Sequence, residues 1–182
     1  MQTETYQMAL KATQDHHARK KTFGGRFLFR YAERVKQVID EHQCRTMLDY
    51  GCGKGVQYQK TMASGLMLKD YFGLEQIAMY DPGLPQFSTL PDGQFDIVVA
   101  TQVLCWIPVA DIPWVVDLLY ERANKAVFVG EQVRYPKKQM MKAIEDQMPF
   151  RWTVDDWKAA LARPDVDKAM YLQAGNEMIR VQ

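Results

Sequence analysis

The sequence predicts an α/β fold, in which a mostly parallel sheet of about six strands is packed between helices and ends in an antiparallel hairpin. Three observations predict it. Strand-like and helix-like segments alternate along the chain. Several strand-like segments are short, continuous apolar runs, which are typical of strands buried on both faces. The first of these runs leads directly into a glycine-rich turn.

Length and composition are those of one soluble domain. The chain has 182 residues, of which 47% are hydrophobic, and these are enough for a single buried core. Its 23 basic and 22 acidic residues nearly cancel, so neither nucleic acid nor an anionic membrane is an expected partner. The sequence contains no secretory signal and no apolar run of membrane-spanning length, which makes the cytoplasm the expected location.

The three cysteines, Cys44, Cys52 and Cys105, are widely spaced and form no C-x-x-C pair. This spacing argues against a disulfide framework and against a zinc site. We therefore expect reduced thiols and no bound metal.

The first half of the predicted sheet follows a helix. Apolar and aromatic residues recur at steps of three and one over 28–42, which is the pattern of a helix with one buried face. A strand is predicted at 46–50, followed by glycines at alternate positions of 51–55. A helix is predicted over about 56–68.

The second half continues the alternation. Strands are predicted at 76–80 and 95–100, the second as a continuous apolar run. The segment 110–123 predicts a helix capped by Asp111, and 126–130 predicts the next buried strand.

The C-terminal region predicts one more helix and a hairpin. Thr153 opens a helix-start pattern, and Arg163 followed by proline marks its end. The segments 168–173 and 177–181 predict an antiparallel pair.

Parallel α/β sheets bind ligands beyond the carboxyl ends of their strands, so the residues that follow each strand are the candidate site. Glycines at 51, 53 and 55 would allow a ligand to approach bare backbone, although they would also suit a plain strand-to-helix turn. Val56 occupies the position where the dinucleotide pattern G-x-G-x-x-G requires glycine, which disfavours a pyrophosphate ligand.

Two acidic residues flank this turn in sequence. Asp81 ends the second strand 28 residues after Gly53, near the offset of about 20 at which a carboxylate accepts both hydroxyls of a ribose. The alternative for Asp81 is a local turn role in Asp-Pro-Gly. Asp49 precedes the turn, where it could anchor loop amides or meet a ligand's ammonium group; the residues leave both open.

The segment MLDYGCGKG resembles the first motif of class I S-adenosylmethionine-dependent methyltransferases. The stretch FDIVVATQVLCWIP, with the following ADIPWVVDLLYERA and AVFVG, is similar to that family's later core, so the resemblance spans about 28–130. It implies a Rossmann-like three-layer sandwich that transfers a methyl group from S-adenosylmethionine to an acceptor, which we expect to be a small molecule. The residues expected at the cofactor are Asp49, Tyr50, Gly51, Cys52, Gly53, Gly55, Tyr80, Asp81, Pro82, Leu90, Thr101, Gln102, Val103 and Trp106.

The whole chain, 1–182, is expected to form a single domain with three parts. The segment 1–27 would cover the active site, 28–130 would form the cofactor-binding core, and 131–182 would supply the last helices and the hairpin.

The sequence departs from the family in two places. Only 13 residues separate Asp81 from Phe95, so the usual third strand and its adenine-binding acidic loop are expected to be missing. Adenine contacts are then expected from Leu90 and its neighbours. Cys105 and Trp106 stand where many relatives have an acidic residue and a histidine. Cys105 is expected to fill the core, and Trp106 could stack on adenine, line the substrate pocket or pack in the core.

No catalytic base is obvious after this replacement, and the candidates are His16, His17 and Glu131. The chain also lacks the Asn/Asp-Pro-Pro-Tyr signature of enzymes that methylate exocyclic amines of bases. Two alternatives remain: a protein that binds S-adenosylmethionine or S-adenosylhomocysteine without turnover, and a nicotinamide-dependent oxidoreductase, which Val56 disfavours.

Overall fold

The computed structural model describes residues 2–18, 23–132, 139–174 and 176–182. Within these ranges one six-stranded sheet has the order β2-β1-β3-β4-β5-β6. All neighbouring pairs are parallel except β5 and β6, which are antiparallel. The predicted α/β fold class is therefore confirmed. The strands are β1 (Thr46–Tyr50), β2 (Gln76–Tyr80), β3 (Phe95–Thr101), β4 (Ala123–Glu131), β5 (Ala169–Ala174) and β6 (Glu177–Arg180).

Helices cover both faces of this sheet. Successive side chains of a strand point to opposite faces, so Ile97 and Val98 of β3 belong to different apolar clusters. Ile97 packs with the helices of one face, α2 and α3, and Val98 with those of the other, α1, α4 and α5. This arrangement is a Rossmann-like sandwich. The helices are α1 (Glu4–His17), α2 (Leu28–Glu41), α3 (Leu68–Phe72), α4 (Ile112–Arg122) and α5 (Val154–Leu161).

Helix α2 forms where the 3.6-residue periodicity predicts it. Its buried residues share one face, and that face packs on the sheet because it carries nearly all of the helix's large apolar side chains. The helix ends one residue before the predicted end. The buried positions are Leu28, Tyr31, Ala32, Val35, Val38 and Ile39.

The C-terminal predictions are also confirmed. Thr153 and Asp156 form a reciprocal capping box at the start of α5, in which each side chain accepts from the other residue's backbone amide. Trp157 and Leu161 of that helix are fully buried. Strands β5 and β6 pair with Tyr171 opposite Arg180.

The predicted helix over 56–68 is wrong. The structure has a short 3-10 helix, Val56–Gln59, then a turn closed by a bridge between Thr61 and Met67, and only then α3. Gly65, with φ +81°, lies in this turn, where its conformation interrupts an α-helix. The amides of Val56 and Gln57, which a helix beginning here leaves without an internal partner, donate to the carbonyls of Gly24 and Gly25.

The predicted capping role of Asp111 is also wrong. Its backbone is already helical and its side chain makes no cap hydrogen bond. The buried carboxylate instead accepts from the amide and hydroxyl of Thr3, at 3.0 and 2.5 Å, and from the indole N–H of Trp114 at 3.1 Å. Thr3 in turn caps α1, because its hydroxyl accepts from the amide of Tyr6. Asp111 therefore holds the start of α1 next to the start of α4.

Across the described ranges, no helix combines the length and the apolarity needed to cross a membrane.

Candidate functional site

A cavity of about 890 Å³ lies at the carboxyl ends of β1, β2 and β3. After β1 the chain goes to β2 on one side and then to β3 on the other, which makes this end of the sheet a topological switch point. The floor of the cavity comes from the residues that follow the strands, and α1 with the segment 23–27 forms the roof. Its volume is in the range of small-molecule sites.

The structure brings most of the predicted site residues to this cavity. Those that line it are Tyr50, Gly51, Gly53, Asp81, Pro82, Thr101, Gln102, Val103, Trp106 and His17. Those outside its lining are Asp49, Cys52, Gly55, Tyr80, Leu90, His16 and Glu131.

The glycines of the turn are required by the protein's own packing. Gly53 has φ +57°, and a Cβ there would lie 2.7 Å from the carbonyl oxygen of Phe23. A Cβ on Gly51 would lie 2.3 Å from a methyl carbon of Val103. Gly51 and Gly53 expose backbone to the cavity, but neighbouring residues of the chain already exclude larger side chains at both positions.

The segment 23–25 docks on this turn. The amides of Lys54, Val56 and Gln57 donate to the carbonyls of the three residues of the segment, in chain order, at 3.0, 3.0 and 3.1 Å. Gly25 has φ +68°, and a Cβ there would lie 2.0 Å from the carbonyl oxygen of Cys52. This contact was missed at the sequence level, where the only signal for it is the adjacent glycine pair at 24 and 25.

Every backbone amide from 51 to 56 donates to an acceptor within the protein. A phosphate-binding loop needs several such amides directed at its anion. The turn is therefore unsuited to a pyrophosphate, in agreement with the valine at position 56. The acceptors are the carbonyls of Tyr80, Phe23, Cys52 and Gly24 and the carboxylate of Asp81.

Asp81 connects the turn to the end of β2. One carboxylate oxygen accepts from the amide of Gly53 at 2.9 Å, and the other accepts from the amide of Gly83 at 2.9 Å. A carboxylate oxygen can accept two hydrogen bonds, so the oxygen bonded to Gly53 retains capacity for a further donor, whereas the other oxygen also faces Nε2 of His17. The local turn role is thus present, and the carboxylate also lines the cavity, where a ligand hydroxyl could reach it.

His17 lies beside this carboxylate. It is in the last turn of α1 and is buried, with Nε2 3.4 Å from an oxygen of Asp81. Its ring also packs against Phe23 at a centroid distance of 4.8 Å. Its Nδ1 has no hydrogen-bond partner among the described residues. His16 packs against Phe23 as well but does not line the cavity, so His17 is the histidine that the fold brings to the site.

Glu131 has an anchoring position rather than one facing a ligand. It is fully buried at the end of β4, and one carboxylate oxygen accepts from the amides of Val103 and Leu104 at 2.9 and 2.7 Å. This contact fixes the segment that follows β3. The geometry does not support Glu131 as a base for a cavity ligand.

Gln102, directly after β3, has a left-handed backbone with φ +59°, which is uncommon for a residue other than glycine. Its amide donates to the carbonyl of Gly130 at 2.7 Å, and its side-chain Nε2 donates to the hydroxyl of Tyr31 at 2.9 Å. Burial, together with the charge of Glu131, raises the pKa of Tyr31 to about 12, so its hydroxyl stays protonated. Strained residues held in this way are frequent at functional sites.

Asp49 belongs to a buried hydrogen-bonded group behind the turn. One oxygen accepts from Nε2 of Gln57 and from the hydroxyl of Tyr58, each at 2.7 Å. Burial raises the pKa of Asp49 to about 7. Of the two roles that the sequence left open, these contacts favour the anchoring one.

The residues after β3 differ in their surroundings. Trp106 lines the cavity and meets Phe23 edge to face at 4.9 Å, whereas Cys105 is buried, as expected for a core residue.

Two residues predicted at the cofactor lie before β3 and pack elsewhere. Leu90, the expected adenine contact, packs against the apolar cluster that contains Val98. Tyr80 stacks at a tilt on Tyr50, 5.0 Å between centroids.

The part of the chain that the structure describes contains no group of three or more His, Cys, Asp or Glu that could hold a metal ion. Comparison with protein-family models, with curated proteins and with solved structures gave no match.

Proposed function

We propose that the protein binds S-adenosylmethionine in the cavity and transfers its methyl group to a small-molecule acceptor. One observation carries the proposal: the glycine turn, Asp81 and the segment after β3 line one cavity at the switch point of the sheet. This combination suits a nucleoside with a linear substituent, because Asp81 retains acceptor capacity for a ribose hydroxyl and the turn has no spare amides for a pyrophosphate.

When bound, the cofactor supplies an electrophilic methyl group on a sulfonium. The protein then has to hold an acceptor in line with that methyl and to exclude water. Helix α1 and Trp106 wall the cavity and are placed to limit solvent entry. His17 is the one of the three candidate bases that lines the cavity, and we assign it the proton transfer that an acceptor with a dissociable proton would require.

Asp81→Asn tests the ribose assignment. The variant keeps an acceptor for one of the two amides that Asp81 binds, those of Gly53 and Gly83, but it loses the negative charge. We therefore expect S-adenosylhomocysteine to bind about 1 to 3 kcal/mol more weakly in calorimetric titration. Asp92→Asn, at an exposed position in a loop, is the matched control and should bind like the unmodified protein. Circular dichroism verifies that both variants are folded. Unchanged affinity in Asp81→Asn would remove the ribose assignment.

Binding without turnover is the second candidate function. It is favoured by the position of His17, whose Nε2 faces Asp81 rather than the open cavity. A methyl-transfer screen over small-molecule acceptors separates the two candidates: methylation of an acceptor supports the enzyme, and tight binding with no product from any acceptor supports the binding protein. Affinity for NAD without affinity for S-adenosylhomocysteine would overturn both.

A further inference from the structure

The described sheet has two outer strands, β2 and β6, and they differ in how their open sides are protected. Native proteins commonly place charged residues on an outer strand, because its unpaired backbone groups would otherwise pair with another chain. Strand β6 begins and ends with an exposed charged residue, Glu177 and Arg180. Strand β2 contains no charged residue, and its side chains after Gln76 are half-buried. Of the two outer strands, β2 is therefore the one suited to pairing with another chain.

The hydrogen bonds between β2 and the β1 region show which backbone groups point outward. The amide of Gln76 donates to the carbonyl of the residue before β1 at 3.4 Å, and the carbonyl of Tyr80 accepts from the first two amides of the glycine turn at 2.7 and 3.1 Å. Backbone groups of successive strand residues point to alternate sides, so Gln76, Ala78 and Tyr80 face β1. Ile77 and Met79 direct their amides and carbonyls to the other side, where the described sheet has no further strand.

This open stretch ends at Asp81. The amide of Asp81 is next in the outward row and donates to the carbonyl of Phe87 at 2.9 Å, so the chain itself covers the edge from there on. An antiparallel copy of β2 centred on Ala78 would place Ile77 of each copy opposite Met79 of the other. Each such pair exchanges two N–H···O bonds, so every open amide and carbonyl would gain a partner. The edge is thus complementary to itself.

The surroundings of β2 also suit a second copy of the chain. A surface cavity of about 450 Å³ lies between β2 and α3, with Met67 and Ile77 in its lining, and Leu66 beside it is 46% exposed. Lys69 and Asp70 line this cavity with opposite charges, and within the described ranges neither forms an ion pair. A two-fold interface brings the same residues together in both directions, so one pair of opposite charges can form two contacts. The net charge of +1 leaves little repulsion between copies.

We propose that β2 pairs with β2 of a second copy, antiparallel about a two-fold axis at Ala78, so that the two sheets become one. Lys69 of each copy lies near Asp70 of the other. A second copy fits better than a foreign strand, because both the edge and its charges are complementary to themselves. The paired stretch is short, so we expect a dimer that dissociates in the micromolar range. The inference is independent of the proposed function.

Sedimentation velocity of the full chain between about 1 and about 100 μM measures this association. We expect the mass to rise from the 21.1 kDa of one chain towards twice that value. Ile77→Pro removes the outward amide, and proline is tolerated at such edge positions. Because each dimer loses two hydrogen bonds between copies, we expect the dissociation constant to rise about tenfold or more. Ile77→Val keeps the amide and is the matched control.

Amide hydrogen exchange identifies the strand that forms the contact. We expect exchange at Ile77 and Met79 to slow about fivefold or more between the lowest and the highest concentration, because these amides become bonded only in the dimer. Ala78 serves as the internal control, since its amide faces β1 in both states and its exchange should change little.

A monomer throughout the concentration range overturns the proposal, including one whose β2 edge binds only a foreign peptide. A dimer that leaves exchange at Ile77 and Met79 unchanged overturns it as well. If circular dichroism shows that Ile77→Pro is unfolded, the exposed Lys69 decides. Lys69→Glu should raise the dissociation constant about fivefold, and the exchanged pair Lys69→Glu/Asp70→Lys should restore it. An unchanged constant in Lys69→Glu, or no recovery in the exchanged pair, would then overturn the pairing.

Discussion

A buried carboxyl group with a raised pKa, such as that of Asp49, makes the stability of the protein depend on pH. An aspartate in the unfolded chain titrates near 4, whereas burial raises the pKa of folded Asp49 to about 7. Between these values the folded protein retains a proton that the unfolded chain has released. The contribution of Asp49 to stability is therefore greatest below about pH 4 and is lost as the pH rises through about 7.

Asp49→Asn should remove this dependence, since an amide does not titrate in this range. We expect the urea midpoint of the unmodified protein to fall more between pH 5 and pH 8 than that of the variant. Asp92→Asn serves as a control for an exposed carboxyl group and should follow the unmodified protein. Parallel pH profiles for Asp49→Asn and the unmodified protein would show that Asp49 titrates at an ordinary pKa.

Gly53 combines a left-handed conformation with a close approach of backbone. In Gly53→Ala the new methyl group would meet the carbonyl of Phe23. We therefore expect the free energy of unfolding to fall by about 1 to 3 kcal/mol more than the conformational strain alone would lower it. Gly93→Ala isolates that strain, because Gly93 has φ +81° and open space around its Cβ position. Gly93→Ala should lower the free energy of unfolding by only about 1 kcal/mol. Urea unfolding measures the stability of both variants. Equal losses of stability would mean that Phe23 moves away from the new methyl group at little energetic cost.

At the scale of elements, the position of α1 depends on a contact between residues far apart in sequence. Thr3 caps α1, and Asp111 accepts two hydrogen bonds from Thr3. In Asp111→Ala these donors lose their acceptor. We expect amide hydrogen exchange across Glu4–His17 to accelerate about tenfold or more, while exchange in β1 and β3 stays within a few-fold of its original rate.

Asp117→Ala is the control for the Asp111 variant. Asp117 lies on α4 and bonds to Arg163, away from α1. Its removal should leave exchange in α1 unchanged. Uniform acceleration throughout the protein in Asp111→Ala would show instead that this carboxylate supports the whole fold.

At the scale of the whole molecule, the two larger apolar clusters share one sheet. Neighbouring residues of β3 contribute to opposite clusters, so loss of one helical layer removes support for the other. We expect a single unfolding transition. Trp114, Trp152 and Trp157 pack with one cluster, and the fourth tryptophan, Trp106, packs with a smaller cluster that includes Ala9 of α1 on the same face. Tryptophan fluorescence therefore reports one face, while circular dichroism reports both. Different urea midpoints from the two signals would indicate two separately folding parts.

The sequence was informative where structure depends on local pattern. Each predicted strand overlaps an observed one, because an apolar run between turn signals is a local property, and the periodicity of α2 identifies its buried face. Residues after the strands were predicted at the site, and most line the cavity.

Predictions that depend on distant contacts were missed or wrong. The helix over 56–68 is limited to Val56–Gln59, because the chain then turns through Gly65 and Thr61 pairs with Met67. Glu131 was expected near a ligand, since nothing in its local sequence reveals the two amides that it binds behind the cavity. The docking of residues 23–25 escaped notice for the same reason: it depends on how the first 30 residues fold back over the sheet.

The docking of residues 23–25 on the glycine turn has a practical consequence for anyone who shortens this protein. A fragment that starts at α2 would retain every residue of the recognisable motif, yet three amides of the turn would lose their acceptors and the cavity its roof. We expect such a fragment to bind poorly although its motif is intact. Ligand screens should therefore use protein that retains its amino-terminal helix.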